Sequence, residues 1–269
     1  MKIGKETIPR SSIATSDEHT IVVRGYDLSK ELIGKISFVD HFFLLLTGKM
    51  PTAGQSAVLN ATLVAIAEHG LVPSVQAARM TFAAAPDAMQ GAVAAGILGC
   101  GSVVLGSSET AGRMYSEIDA TMRGGAALDD ATLGVMRAWR AAGKSIPGYG
   151  HPLHKERDER ANALFAAARQ AGNPMHFVAI AEAVEAQMPQ VLNKPLKINV
   201  SGAISAVLLD AGFPLQALKG VPILARTAGL IAHLLEEMQQ PSGFALSYQA
   251  TREAVYEGAV PAGFTVPQR

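Results

Sequence analysis

Apolar residues recur three and four positions apart along most of the chain, the spacing of one face of an α-helix. Ser37-Phe38-Val39-Asp40 reads as an N-cap with an acidic residue at the third helical position, followed by the apolar run His41 to Leu46. Gly48 and Pro51 end that helix. Residues 55–68 place Val58, Leu59, Leu63 and Ile66 on one face, and His69-Gly70 with Pro73 follow, so His69 falls at a helix C-terminus. The same reading predicts helices over about 74–84, 87–99, 107–123, 129–142, 156–171, 175–187, 201–211 and 215–239. Strand signals are weak: Ile21-Val22-Val23-Arg24-Gly25 is a short strand or a turn, and no alternating run elsewhere is long enough to build a sheet. The expected fold class is all-α.

Composition narrows the classes. At 269 residues the chain can bury a core without disulfide or metal staples. Lys+Arg and Asp+Glu both number 23, for zero formal net charge, and charged residues make up 17%. This excludes a disordered chain, a basic nucleic-acid binder and a coiled-coil rod, and favours self-association. The single cysteine, Cys100, allows no intramolecular disulfide and no zinc-type cysteine cluster, and its Ala/Gly-rich setting makes it a buried small hydrophobe. No metal site is predicted. The N-terminus has no apolar signal segment. Residues 88–108 carry no charge, but five glycines, Gln90 and three serines favour a close-packed helix pair over a membrane span. A soluble, cytoplasmic protein with no nucleic-acid or membrane partner is expected. There is no dinucleotide fingerprint or P-loop, and no internal repeat.

One segment carries chemistry: Ile146-Pro147-Gly148-Tyr149-Gly150-His151-Pro152-Leu153-His154-Lys155-Glu156-Arg157-Asp158-Glu159-Arg160. Alternating Pro and Gly make a constrained loop of small residues that lets a ligand approach the backbone. His151, between Gly150 and Pro152, is excluded from a helix interior and can exchange a proton with a reacting oxygen near neutral pH. Lys155 and Arg160 add positive charge, and Arg160 can pair bidentately with a carboxylate. The plainer alternative is a solvated loop whose charges only cap the following helix.

PGYGHPLHKERDER resembles the PG(Y/F)GH signature, with its downstream basic residue and DxR, of the citrate synthase superfamily. Other segments match in order. Val23 to Leu28 resembles the family's YRGYDI turn, and Phe38 to Thr52 its LLLxGELPT segment. Ala67-Glu68-His69-Gly70 resembles ADHG/DHE, Asn199-Val200-Ser201-Gly202 resembles NVDG, and Ala225 to His233 resembles RTxGWIAH. The resemblance covers nearly the whole chain.

It implies an all-α fold with a large domain (1–106 plus 213–269) and a small one (107–212), assembled as a homodimer or a higher oligomer. It implies chemistry that makes or breaks a C–C bond between the acetyl group of an acyl-CoA and an oxo acid. Coenzyme A is then the expected cofactor, as part of the substrate, and a di- or tricarboxylate the expected partner. By the match, His151 bonds the oxo-acid carbonyl or the citryl hydroxyl, and His69 is the substrate-side histidine of the first half. Arg160 and Arg226 hold carboxylates. The backbone of Ser145, Ile146, Gly148, Tyr149 and Gly150 runs along CoA, with Lys155 at its phosphates. His69 has a plainer reading as a helix C-cap, His154 as a solvated loop residue and His233 as a packed core residue.

Three departures matter. The further histidine that synthases carry in GPxHGG is replaced by Val104, as in the citryl-CoA-cleaving relatives. The catalytic aspartate of NVDG is Ser201. The C-terminal RP arginine is not evident, with Gln249-Ala250 about where it should be and Arg252 nearby. The expectation is therefore a citryl-CoA lyase-like enzyme with His69, His151 and Ser201 at its catalytic positions. The alternatives are synthase-type acyl transfer in the reverse direction and a catalytically degenerate CoA-ester or carboxylate binder.

Overall fold

The computed structural model describes residues 8–102, 105–150 and 157–266. The chain is predominantly helical and gathers into two compact units, residues 1–65 with 107–221 and residues 66–106 with 222–269.

The first unit opens with a small antiparallel meander of β1 (Ala14–Ser16), β2 (Ile21–Val23) and β3 (Tyr26–Asp27). The expected short strand or turn at 21–25 is β2 and the turn after it, and β1 and β3 are the strands the sequence pattern missed. Thr15 pairs with Val22 and Val23 with Tyr26. Two- and three-residue strands are too short to display alternation, so turn chemistry sets them. Asp17 accepts from the amides of His19 and Thr20, and Arg24-Gly25 forms the second turn with φ of +50° and +92°. Arg24 is held in that conformation by two bonds from its guanidinium to the Leu45 carbonyl. That carbonyl lies in the last turn of α1 (Phe38–Thr47), whose predicted capping box is present: Ser37 and Asp40 exchange side-chain-to-amide bonds at 3.1 and 3.3 Å.

The chain continues through α2 (Ala53–Ala67), and the first unit resumes with α5 (Gly106–Arg123), α6 (Leu128–Ala141), α7 (Glu159–Gln170), α8 (His176–Leu192) and α9 (Val200–Asp210). Helix α8 packs on α6 and α9, and α9 on α7. Nearly all of α9 is buried. At its end the buried Asp210 accepts from the amides of Phe177 and Val178, capping α8 from another helix because Met175 cannot. Burial raises the Asp210 carboxyl above its ordinary range, against the pull of those two amides. Helix α8 runs five residues past its predicted end and through Pro189, which falls in the last turn.

The second unit contains α3 (Pro73–Ala84), α4 (Met89–Leu98), α10 (Gly220–Gln239) and α11 (Gly243–Glu253). The predicted 215–239 helix is broken into a 3₁₀ turn, Leu215–Ala217, and α10. Helix α11 was not predicted, because its large apolar residues Phe244 and Tyr248 face outward while Gly243 packs inward. Val75, Ala78, Phe82, Ala92, Leu230 and Leu234 form the core. Gly96 explains the uncharged 88–108 stretch: a Cβ there would lie 2.8 Å from Leu230 and 2.9 Å from the Ser74 carbonyl, so the glycine allows close packing. Cys100 is buried, as its neighbours imply. Among the described residues one stretch, Leu215–Gln239, is long and apolar enough to cross a membrane. It carries Arg226, His233, Glu236 and Glu237, and buries Leu230 and Leu234.

Candidate active site

The signature loop and the start of α9 are built as one piece within the first unit. The Gly150 amide donates to the Lys197 carbonyl at 2.7 Å, and the Asn199 amide to the Gly148 carbonyl at 3.0 Å. The Asn199 side chain donates to the Gly150 carbonyl at 2.9 Å. Its oxygen accepts from the amides of Ser201 and Gly202, so one asparagine caps α9 and fastens the loop to it. Tyr149 is buried, its hydroxyl donating to the Ala181 carbonyl and meeting Tyr115, each at 2.8 Å. Burial pushes both phenols well above their usual range, so they act as neutral anchors. Ile146 is buried as well, so Ile146 and Tyr149 can meet a ligand only through backbone. Ser145 is exposed.

Gly148 and Gly202 interlock. Gly148 has φ +85°, and a Cβ on it would sit 2.7 Å from the Gly202 Cα; a Cβ on Gly202 would sit 2.6 Å from the Gly148 carbonyl oxygen. Gly148→Ala therefore meets both a left-handed backbone and a rigid backbone wall. We expect it to cost about 2–5 kcal/mol of stability, measured by denaturant unfolding. Gly143→Ala, at a positive φ with open space around it, should lose only the smaller backbone part.

Two carboxylates clamp the strand that leads into α9. Asp158, the N-cap of α7, accepts from the Val200 amide at 3.2 Å, and Glu185 accepts from the Ile198 amide at 2.8 Å. Each also holds an arginine. Arg160 lays Nε and Nη2 on the two Asp158 oxygens at 3.1 and 2.9 Å, and Arg157 lays Nε and Nη2 on those of Glu185 at 3.2 and 3.1 Å. Burial works against the Asp158 charge, but the bonds from Arg160 and the Val200 amide hold the carboxyl below its ordinary range. Arg160 thus uses one edge of its fork internally, and its Nη1 has no hydrogen-bond partner among the described residues. Ser201 is partly buried at the second position of α9, and among the described residues its hydroxyl has no hydrogen-bond partner.

The second unit carries the other two predicted residues. His69 is exposed just beyond the end of α2, at the helix terminus where the sequence put it. Arg226, on α10, is only 4% exposed, and its Nε and Nη1 are buried without a hydrogen-bond partner among the described residues. A buried, unneutralised guanidinium is costly, and the group that relieves it is an anion. His151, Lys155, His154 and Val104 lie outside the described residues. The first unit also has open cavities of about 640 Å³, beside Asp40 and Asn60, and about 470 Å³, beside Gly54 and Gly212; neither is lined by the signature loop or Ser201.

Sequence reasoning missed Asp158, Glu185 and Asn199. Asn199 was legible as an N-cap ahead of an apolar run. Asp158 was signalled only by its place two residues before Arg160. Glu185 pairs with partners 13 and 28 residues away and left no local trace.

The chain is predominantly helical, with the glycine-interlocked loop in its first unit and, in its second, a histidine just after α2 and a buried arginine on α10 whose Nε and Nη1 have no hydrogen-bond partner among the described residues. Residues 54–244 match the family described as citrate synthase, C-terminal domain, and the chain belongs to that family. It is similar to "Putative citrate synthase 2" of Mycobacterium tuberculosis, 27% identical over 235 residues that cover 86% of this chain and 59% of the relative. The chain thus matches little more than half the length of this curated relative. Among solved structures it resembles citryl-CoA lyase from Hydrogenobacter thermophilus, with a TM-score of 0.84 and 31% identity over 96% of this chain and 98% of that one. It also resembles ATP citrate lyase from Methanothrix soehngenii, solved with citrate and coenzyme A, with a TM-score of 0.75 and 21% identity over 99% of this chain and 43% of that one. The chain is a citryl-CoA lyase-like member of its family.

Proposed function

We propose that the protein cleaves citryl-CoA, or a related 3-hydroxy-3-carboxyacyl-CoA, to acetyl-CoA and an oxo acid such as oxaloacetate. The observation that carries this reading is the end-to-end match to citryl-CoA lyase, over 96% of this chain and 98% of that one. Arg226 and Arg160 hold substrate carboxylates. His151 takes the proton of the citryl hydroxyl. The oxygen lone pair becomes the new carbonyl, and the electrons of the breaking C–C bond pass to the acetyl carbon as an enolate, which then takes up a proton. His69 assists on the substrate side, and the Ser201 hydroxyl is a donor for the enolate oxygen. The CoA portion lies along the backbone of Ser145 to Gly150 with Lys155 at its phosphates, and no metal takes part. The large-domain (1–106 plus 213–269) and small-domain (107–212) division and a cytoplasmic location go with this reading.

The serine at position 201 favours a second reading, a CoA-ester binder that has lost turnover. Incubation with citryl-CoA, and separately with acetyl-CoA plus oxaloacetate, followed by mass spectrometry of the CoA products, separates them. Acetyl-CoA and oxaloacetate from citryl-CoA support the lyase. Net citrate formation supports the synthase direction, and tight binding without turnover the degenerate binder. No CoA-ester binding overturns all three.

The working unit is a homodimer. Ile231, Leu235 and Met238 stand at i, i+4 and i+7 on α10, each about half exposed, and Phe244 and Tyr248 stand at i and i+4 on α11. An apolar stripe of this kind is what an interface covers. Leu235→Glu with Met238→Glu is expected to convert a dimer to monomer in sedimentation velocity; wild-type protein that is already monomeric at micromolar concentration overturns the assignment.

A further inference from the structure

His233 was expected to be an ordinary core residue. It is instead the centre of a charged chain within the second unit. Arg79, 3% exposed on α3, points its guanidinium at the His233 Nδ1, with Nε at 3.3 Å and Nη2 at 2.9 Å. The same guanidinium bonds Glu237 at 3.0 Å and Ser242 at 3.1 Å, and Nη2 also meets Glu236. Burial opposes the Glu237 charge, but the amides of Gly243 and Ser242, the Ser242 hydroxyl and Arg79 hold its carboxyl below the ordinary range. That end of the chain is therefore fixed.

The chemistry of the donors settles the imidazole. A guanidinium only donates, so Nδ1 must offer its lone pair. The ring proton of neutral His233 then sits on Nε2, which lies 2.9 Å from Glu68 Oε1. The same Glu68 oxygen accepts from the amides of His69 at 2.8 Å and Gly70 at 2.5 Å. Glu68 thus gathers three donors: two belong to the backbone that carries His69, and the third is the imidazole oriented by Arg79. Gly229, one helical turn before His233, seats this corner: a Cβ there would lie 2.9 Å from Glu68 Oε2.

We propose that His233 is a positioning residue: held as the Nε2–H tautomer by Arg79, it orients Glu68, which fixes the His69–Gly70 backbone and with it the place of the His69 imidazole. This rests on the reading above that His69 works on substrate. The packing role expected of a core histidine would need none of these polar partners.

The test uses Glu68→Ala, His233→Leu and His233→Gln, with two readouts. Glu68 is about half exposed, so its alanine variant tests the chain without disturbing the buried Arg79 cluster. In ¹⁵N-histidine spectra of the wild-type protein, His233 should show the Nε2–H pattern, and Glu68→Ala and His233→Leu should shift the His69 resonances in the same direction. In citryl-CoA cleavage, both variants should lower kcat by roughly a hundredfold while KM moves by no more than about twofold. The double variant should be no worse than either single one. His233→Gln, which keeps a donor toward Glu68, should recover most of the loss. An Nδ1–H His233, or His69 resonances unmoved in both variants, overturns the proposal. The spectroscopic arm needs no turnover, so a wild-type protein that cleaves nothing sinks the lyase reading while the His69 shifts still decide the positioning role.

Discussion

Arg226→Leu is expected to make the protein more stable and nearly inactive at once. The Arg226 guanidinium is buried, and its Nε and Nη1 have no hydrogen-bond partner among the described residues. Exchanging a buried cation without a bonded partner for an apolar side chain should raise stability by about 1–4 kcal/mol, read as a higher melting temperature. The same change removes a charge-assisted grip on a substrate carboxylate, worth about 2–5 kcal/mol, or some 30- to 5,000-fold in kcat/KM. Arg160→Leu should behave oppositely in stability. It strips the buried Asp158 of the two bonds that offset its burial and should cost about 1–3 kcal/mol. Two arginines given the same ligand role by resemblance are thus separated by one melting experiment. Citryl-CoA should raise the melting temperature of the wild type and leave that of Arg226→Leu where it was. A less stable Arg226→Leu variant would mean that the guanidinium is neutralised within the protein, and the carboxylate role would lose its physical basis.

His151→Ala should lower kcat for citryl-CoA cleavage by about 10²–10⁴, with KM for the CoA ester little changed, since general-base catalysis is lost but not the main anchors. Ser201→Asp is its complement. Position 201 is the second residue of α9, where an added carboxylate faces the positive end of the helix and should be tolerated or slightly stabilising, by about 0.3–1 kcal/mol. If the serine occupies the proton-transfer position, the aspartate variant should speed exchange of the acetyl-CoA methyl hydrogens with D₂O, detected by mass spectrometry. Unchanged exchange would remove Ser201 from the reacting carbon.

The elements that pattern and capping define were legible from the residues alone. Ser37 and Asp40 announced α1, His69-Gly70 the end of α2, and Pro-Gly alternation a loop at 146–150. Each depends on neighbours within about one helical turn, which periodicity and capping record. Of the β meander the sequence showed the strand and turn at 21–25, while β1 and β3 escaped because strands this short display no alternation. Helix α11 escaped because its visible apolar residues cover the outside of the protein rather than its core.

Local sequence thus determined that this chain is helical, where most helices begin and end, and which glycines and charged residues stand in a ligand-facing order. Where a charge has partners distant in sequence, as Arg157, Arg79 and His233 have, tertiary structure alone decided the pairing. Arg160 stands in a charged segment with Asp158 two residues before it, whereas Arg226 stands in an apolar helix. Arg160 is committed to its near neighbour Asp158, and Arg226 buries its Nε and Nη1 without a hydrogen-bond partner among the described residues, a difference set by which side chains folding packs around each. His233 looked like core because its partners, Glu68 and Arg79, lie more than 150 residues away. Only folding sets the imidazole between a donor and an acceptor and so chooses its tautomer.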